Sequence, residues 1–331
     1  MSIIPQLSSL FYQADKYKRL LRAKRFTFPV IEHYSFSENE TYQKYAERML
    51  NCSCELKVRI MTSDDVTEIT RTSIEDARWC HVRQCPMCQF ARVSRQRAKF
   101  FKTFVPAEVL GKEFGFLTLT VRNRPLSELR ETLAQMTLGW DKFCKRRNLP
   151  FVGFLRSMEV TIQRDKTGAP VRSLDGELMA HPHFHILLEF REGYFEEGFK
   201  AKSWWIEQWQ SALGVDYLPS VDIRKIRPIE GDISKGVLEV LKYTVKPSDF
   251  CGFSESAEWL YGLTEQLHGL RSLRLGGTFA KLCSQKELDA VDDLSTEGLQ
   301  SQTGNLVQLS WNHMKNYWDV NEIYQTSSSF E

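Results

Sequence analysis

The sequence predicts an α+β fold: an antiparallel sheet with a split β-α-β, ferredoxin-like core, flanked by helices. Between residues 111 and 250, apolar segments of strand and helical periodicity follow one another in the order strand, helix, strand, strand, helix, strand, helix. Three of the eight cysteines lie within nine residues in the N-terminal third, which predicts a metal-binding region beside the sheet.

Each element follows from its residues. The strands are rich in β-branched and aromatic residues, and Pro247 ends the last helix because proline cannot continue it. Strands are predicted at 114–121, 151–163, 181–190 and 220–228, and helices at 127–147, 199–213 and 233–245. The pattern divides the chain into a basic, cysteine-containing region (1–110), a core of alternating strands and helices (111–250) and a helical extension with an acidic tail (251–331).

Composition and charge limit the function. A hydrophobic fraction of 42% is ordinary for a folded protein, and no apolar stretch approaches the roughly 18 residues of a membrane span. The N-terminus lacks a signal peptide, so we expect a cytoplasmic protein. The net charge of +2 conceals a basic body, because residues 284–331 hold two basic and eight acidic residues. The basic segments 16–25 and 78–102 indicate either a nucleic-acid partner or solvated helix faces.

The cysteines predict a structural zinc site. Cys85 and Cys88 have the Cys-x2-Cys spacing of a zinc knuckle, and Cys80 is a third ligand. Cys52 or Cys54 would be the fourth ligand, with His81 as an outside candidate. Four protein ligands leave no open position, so such a site organises the fold and does not catalyse.

A second constellation predicts a catalytic metal. His183 and His185 share one face of a predicted strand, and Glu159 is an acidic residue in an otherwise apolar neighbouring strand. Two imidazoles and one carboxylate accept Mg²⁺, Mn²⁺ or Zn²⁺ with room for a substrate oxygen. Glu177 and His181 are rival third ligands, and a histidine pair on a sheet surface is the alternative without metal.

The last predicted helix carries Glu239 and Tyr243, which are four residues apart and therefore on one helix face. A phenol near a metal-bound phosphate and lysines is a candidate nucleophile, although most helical tyrosines only pack.

Taken together, Leu-Thr-Leu-Thr (117–120), His-Phe-His (183–185) and Lys-Tyr-x-x-Lys (242–246) resemble the three ordered motifs of HUH-type replication initiators. The cysteine cluster, continuing to Gln89 and Arg92, resembles the zinc signature of the Rep_1 plasmid rolling-circle initiators. In that family a cysteine precedes a leucine by four residues, which matches Cys52 and Leu56 and favours Cys52 over Cys54 as ligand.

The resemblance implies a metal-dependent nickase of plasmid origin DNA in the bacterial cytoplasm. Tyr243 would form a 5′-phosphotyrosyl link and leave a 3′-OH for a host polymerase, with a host helicase as a further partner. Glu239 would activate water at termination, because that family pairs a glutamate with the tyrosine four residues later. The competing readings are an HUH transposase or relaxase, and a zinc-containing DNA-binding protein without catalysis.

Overall fold

The computed structural model describes residues 12–62, 69–104, 112–226, 240–241, 245–292, 294 and 304–326. Within these ranges the helices are α1 (Asp15–Ser35), α2 (Glu40–Leu50), α3 (Pro86–Phe104), α4 (Leu129–Cys144), α5 (Lys202–Leu213), α6 (Ser256–Gln266), α7 (Thr278–Leu282) and α8 (Gln285–Asp292). The strands are β1 (Glu55–Thr62), β2 (Ile69–Ala77), β3 (Phe114–Thr120), β4 (Arg124–Pro125), β5 (Phe151–Ile162), β6 (Met179–Phe190), β7 (Val221–Ile226), β8 (Leu273–Gly277), β9 (Gly304–Asn312) and β10 (Tyr317–Thr326). All paired strands are antiparallel, which confirms the predicted α+β class.

The chain divides into two compact units. One combines Met1–Arg95 with Ala290–Glu331, and the other spans Gln96–Asp289. In the first unit the strand order is β10-β9-β1-β2, so strands from both ends of the chain share one sheet. The predicted division of the chain at 110 and 250 remains a prediction.

The sheet of the first unit buries one face of each inner strand. Leu56, Val58 and Ile60 of β1 are buried while their neighbours Lys57 and Glu55 are exposed. This alternation follows from the two-residue period of a strand, which directs every second side chain to the same face. The inner strand β9 shows the same alternation.

The second unit contains the other sheet, with the order β7-β3-β6-β5-β8 and β4 paired to β6. Helices α4 and α5 cover one face. The ring of Trp140 lies 5.1 Å from that of Phe154, and Trp209 donates its indole N–H to the Thr120 carbonyl at 2.8 Å. Predicted strands and observed strands agree within two residues for β3, β5, β6 and β7.

The opposite face of this sheet is divided between an apolar and a polar part. At one end, Leu155 and Leu187 pack with Leu241 and Phe100 in a buried cluster. Glu159, His183 and His185 lie on the same face beyond this cluster, because each is an even number of residues from Leu155 or Leu187 along its strand. None of the described helices is both long and apolar enough to cross a membrane.

Candidate metal centres

The register of three strands brings the predicted ligands of the catalytic metal together. Glu159 in β5 lies directly opposite His183 in β6. Thr118 and Thr120 of β3 lie opposite His185 and His183 on the other side. Since residues directly opposite in an antiparallel pair project from the same face, all five side chains share one surface of the sheet.

The side chains of Glu159, His183 and His185 converge on one point. Glu159 Oε2 lies 2.9 Å from His183 Nε2 and 2.6 Å from His185 Nε2. One ligand atom from each residue falls within 4.8 Å of the others. Glu159 and His185 are buried, and His183 is half-buried. The group therefore combines a carboxylate oxygen with two imidazole nitrogens at the distances of a single ion site.

The other ring nitrogen of each imidazole, Nδ1, also lies within hydrogen-bond distance of an oxygen atom. His183 Nδ1 lies 3.2 Å from the carbonyl oxygen of His181, and His185 Nδ1 lies 3.3 Å from the Thr118 hydroxyl. Phe116 stacks on the His185 ring with centroids 5.4 Å apart. A carbonyl can only accept a hydrogen bond, so Nδ1 of His183 donates to the His181 carbonyl. Such outer contacts orient histidine ligands in metal sites.

The carboxyl group of Glu159 is ionised in this setting. Burial opposes ionisation, but hydrogen bonds from His183 and His185 outweigh it and hold the pKa of Glu159 well below its usual range. Lys246 Nζ lies 4.0 Å from Glu159 Oε1. An anionic oxygen beside two imidazoles is a donor set that fits a divalent cation with open positions.

The rival third ligands lie apart from this group. Glu177 Oε2 accepts a hydrogen bond from the Ser127 backbone at 3.3 Å, and the His181 ring lies 5.3 Å from the His183 ring. Neither belongs to the cluster whose ligand atoms come within 4.8 Å. Burial lowers the pKa of His181.

The predicted catalytic pair, Glu239 and Tyr243, lies outside the described residues. Of their described neighbours, Leu241 and Val245 are buried, and the Leu241 carbonyl accepts a hydrogen bond from Arg97 Nε at 3.1 Å.

The second cluster consists of Cys52, Cys80, Cys85 and Cys88, all buried in the first unit. Cys88 Sγ lies 3.5 Å from Cys80 Sγ and 3.7 Å from Cys52 Sγ. Four sulfurs at about 2.3 Å from a tetrahedral zinc ion would lie about 3.8 Å from one another. The spacing therefore fits zinc. Cys54 is not a member of the group; its Sγ lies 3.5 Å from Lys24 Nζ.

The backbone around the cysteines explains this convergence. Pro86 begins α3, so Cys85 immediately precedes the helix and Cys88 lies in its first turn, where the helix dipole stabilises thiolates. Ser53 and His81 follow Cys52 and Cys80 and have positive φ angles of 54° and 58°, a left-handed conformation that turns the chain sharply.

Ionisation of all four cysteines in this buried cluster would require a cation. Burial raises the pKa of the Cys85 thiol well above its usual value, while the hydrogen bond from Cys52 leads the effects that lower the pKa of Cys88. Four adjacent sulfurs cannot all ionise in a buried site without a positive partner. Basic groups already surround it: Lys24 Nζ donates to the Cys52 carbonyl at 2.5 Å, and Arg48 donates to the Cys80 carbonyl.

Sequence reasoning did not predict the contacts that three residues make with the two clusters. They are Thr118, which contacts His185; Lys246, which pairs with Glu159; and Lys24, which is buried beside Cys52. The signal for Thr118 was its place in the Leu-Thr-Leu-Thr motif, two residues from Thr120 on the same strand face. Lys24 carried no signal, because it lies within a run of six basic residues.

Comparison with known proteins gives a consistent match. Residues 71–319 match the Rep_1 family model, described as "Replication protein". A "Protein rep" of Streptococcus pneumoniae is 29% identical over 80% of this chain and 84% of its own length. A "Protein rep" of Bacillus amyloliquefaciens is 30% identical over 81% of both chains, and one of a Bacillus species is 31% identical over 66% of this chain and 73% of its own. No solved structure matches significantly.

Proposed function

This chain belongs to the Rep_1 family of replication proteins, and we propose that it is an HUH-type endonuclease and strand transferase that starts plasmid rolling-circle replication. Its substrate would be the double-strand origin of a plasmid, exposed as a single strand or hairpin at the nick site. A host helicase and a host DNA polymerase would act on the product.

The observation that supports catalysis best is the convergence of Glu159, His183 and His185 on one point of one sheet face. A divalent ion such as Mg²⁺ or Mn²⁺, when bound by these residues, would polarise a phosphate and offset charge that develops on it. The ammonium group of Lys246 adds a cation for the phosphate beside the cluster.

The nucleophile in this proposal is Tyr243, three residues before Lys246 in the chain. Its phenolic oxygen would form a bond to phosphorus as the bond from phosphorus to the 3′ oxygen breaks. The phenol proton would leave to water, and the released 3′ oxygen would take a proton from water. The products are a 5′-phosphotyrosyl protein and a free 3′-OH, from which synthesis can begin. The link conserves the phosphodiester energy, so strand closure needs no ATP.

Glu239 is proposed to act at the end of the cycle. As a general base it would orient a water molecule toward the phosphotyrosyl bond, and hydrolysis would release Tyr243 and a 5′-phosphate. The experiment is Glu239→Gln: it should nick and form the adduct at the parental rate but release it slowly, so that covalent complexes accumulate. Parental release by this variant would remove Glu239 from the termination step.

The cysteine group is proposed to bind structural Zn²⁺. Its sulfurs are all buried, and a closed set of four leaves no position for substrate. Its contribution would be to the folding of the first unit, because binding free energy at such a site adds directly to folding free energy.

The test of the whole proposal is incubation with supercoiled plasmid that carries the cognate origin, with Mg²⁺ or Mn²⁺. An open-circular product with protein on its 5′ end supports the proposal. Retardation of the plasmid without a cut in either metal supports the binding protein instead. Plasmid that lacks the origin serves as the control and should stay supercoiled.

A further inference from the structure

A cleft of about 460 Å³ adjoins the Glu159–His183–His185 cluster. Its walls are two loops, Thr120 to Asn123 after β3 and Tyr217 to Ser220 before β7, together with His181 of β6. This volume falls in the range of about 300–1,000 Å³ that is typical of small-ligand sites. None of the described residues that line it is acidic, and its charged member is Arg122.

Two of the lining residues connect the cleft to the cluster. His181 is two residues from His183 on the same strand face, and their rings lie 5.3 Å apart. Thr120 lies directly opposite His183 in the sheet. A chain bound by its phosphate at the cluster would therefore have its adjoining base at the cleft.

The cleft contains groups on which a nucleobase can stack. The guanidinium of Arg122 lies over the ring of Tyr217 at 4.0 Å from its centroid. The Arg122 backbone N–H donates to the Tyr217 hydroxyl at 3.2 Å, which holds the ring in place. Leu218 is 74% exposed and adds apolar surface. Single-stranded nucleic acids are bound on aromatic rings and guanidinium planes of this kind.

The cleft also offers polar groups for a base edge. The half-buried amide of Asn123 makes no hydrogen bond to any residue in the described part of the chain, so both its donor and its acceptor are available. The walls are fixed from behind, because the Thr120 hydroxyl donates to the Ser220 carbonyl and Trp209 donates to the Thr120 carbonyl. A preformed cleft loses little freedom on binding.

We infer that this cleft binds the base of a nucleotide adjoining the phosphate at the Glu159–His183–His185 cluster, with the base stacked on the Arg122–Tyr217 pair. The inference rests on the proposed function for the identity of the ligand, single-stranded DNA. It adds a residue set that would select which phosphodiester of a single strand reaches the cluster.

The test measures binding without cleavage, by fluorescence anisotropy with labelled dT15, dA15 and dC15 strands. Tyr217→Ala should weaken binding between about 5-fold and 100-fold, since stacking contributes about 1–3 kcal/mol per base. Tyr217→Phe retains the ring and should stay within about 3-fold of the parent. Tyr324→Ala makes the same change at an exposed tyrosine of the other unit and should bind as the parent does.

Equal affinities for the parent and Tyr217→Ala would overturn the inference, as would the absence of single-strand binding by the parent. Thermal melting of each variant shows whether the fold is retained. If Tyr217→Ala is unfolded, Arg122→Ala, whose side chain is exposed, replaces it with the same expected loss. These strands carry no origin, so the binding test is independent of nicking. If Tyr217→Ala binds the strands more weakly but the parent does not nick the origin plasmid, the proposed function alone is contradicted. If the parent nicks the plasmid but Tyr217→Ala binds the strands with unchanged affinity, the inference about the cleft alone is contradicted.

Discussion

Glu159 and His183 lie directly opposite each other in β5 and β6, and Glu159 Oε2 meets His183 Nε2 at 2.9 Å. The two residues are 24 positions apart in the chain, so the contact depends on the strand register. A shift of one residue would carry Glu159 to the face covered by α4 and α5. The pairing of these strands therefore places the Glu159 carboxylate beside the imidazoles of His183 and His185.

Replacement of Glu159 by glutamine should weaken binding of a divalent ion. The amide keeps the shape but removes the negative charge, so we expect the Kd for Mn²⁺ to rise more than about tenfold, or about 1.4 kcal/mol. Titration of the purified protein, followed by Mn²⁺ electron paramagnetic resonance, measures it. Glu177→Gln is the matched control and should bind Mn²⁺ as the parent does. Equal Kd values for the parent and Glu159→Gln would remove Glu159 from the ligand set.

The cysteine cluster predicts different outcomes for two cysteines that are two residues apart. Cys52→Ser should lower the zinc content from about one ion per chain to near zero, with a large loss of soluble protein. Cys54→Ser should retain the ion, because Cys54 Sγ contacts Lys24 and is not part of the group. Atomic absorption of the two purified proteins decides. Loss of zinc from Cys54→Ser together with its retention in Cys52→Ser would exchange the two assignments.

Lys24 should act as the buried counter-charge of the cysteine cluster. Its side chain is 2% exposed and donates to the Cys52 carbonyl, and four thiolates around Zn²⁺ carry two net negative charges. Lys24→Met keeps the volume but removes the charge, and we expect zinc affinity to fall about 10- to 100-fold. Competition with a chromogenic chelator measures this. Lys57→Met, at an exposed ion pair with Asp76, should have the parental affinity; equal losses in both variants would contradict the assignment.

Asp249 should give a stability effect that depends on pH. Burial raises its pKa, although Lys246 and Arg164 oppose this, and Oδ2 has no hydrogen-bond partner among the described residues. The folded-state pKa of Asp249 is raised. The free-energy cost of its buried charge is therefore absent below the unfolded pKa of about 3.9, and this cost grows as pH rises through the folded-state pKa. Asp249→Asn should therefore raise the melting temperature at pH 7 and leave it unchanged near pH 3.5. A lower melting temperature at pH 7 would contradict this.

The sequence predicted the second unit better than the first. Strand periodicity located β3, β5, β6 and β7, and the two-residue repeat placed His183 and His185 on one face. The sheet of β1, β2, β9 and β10 was missed, although the alternation in Glu55–Thr62 carries the signal. Two strands of this sheet, β9 and β10, come from the end of the chain, and the pairing of β9 with β1 over such a separation leaves no local signal in the sequence.

In the two sites, only residues with a characteristic spacing along the sequence could be predicted. Cys85 and Cys88 have a diagnostic separation, whereas Cys52 and Cys54 differ only in which sulfur the backbone directs inward at Ser53. The contacts of Lys24 and Thr118 arise from tertiary packing of distant segments. These side-chain contacts therefore could not be predicted from the sequence.

The central claim is that Tyr243 is the nucleophile of a metal-dependent nick, and the most direct measurement is to identify the residue that becomes linked to DNA. Origin DNA is incubated with the protein and Mn²⁺, the complex is digested with nuclease and protease, and the nucleotide-bearing peptide is sequenced by mass spectrometry. We expect the nucleotide on Tyr243, its loss in Tyr243→Phe and its retention in Tyr261→Phe. A nucleotide on any other residue, or nicked DNA without a covalent link, would contradict the claim.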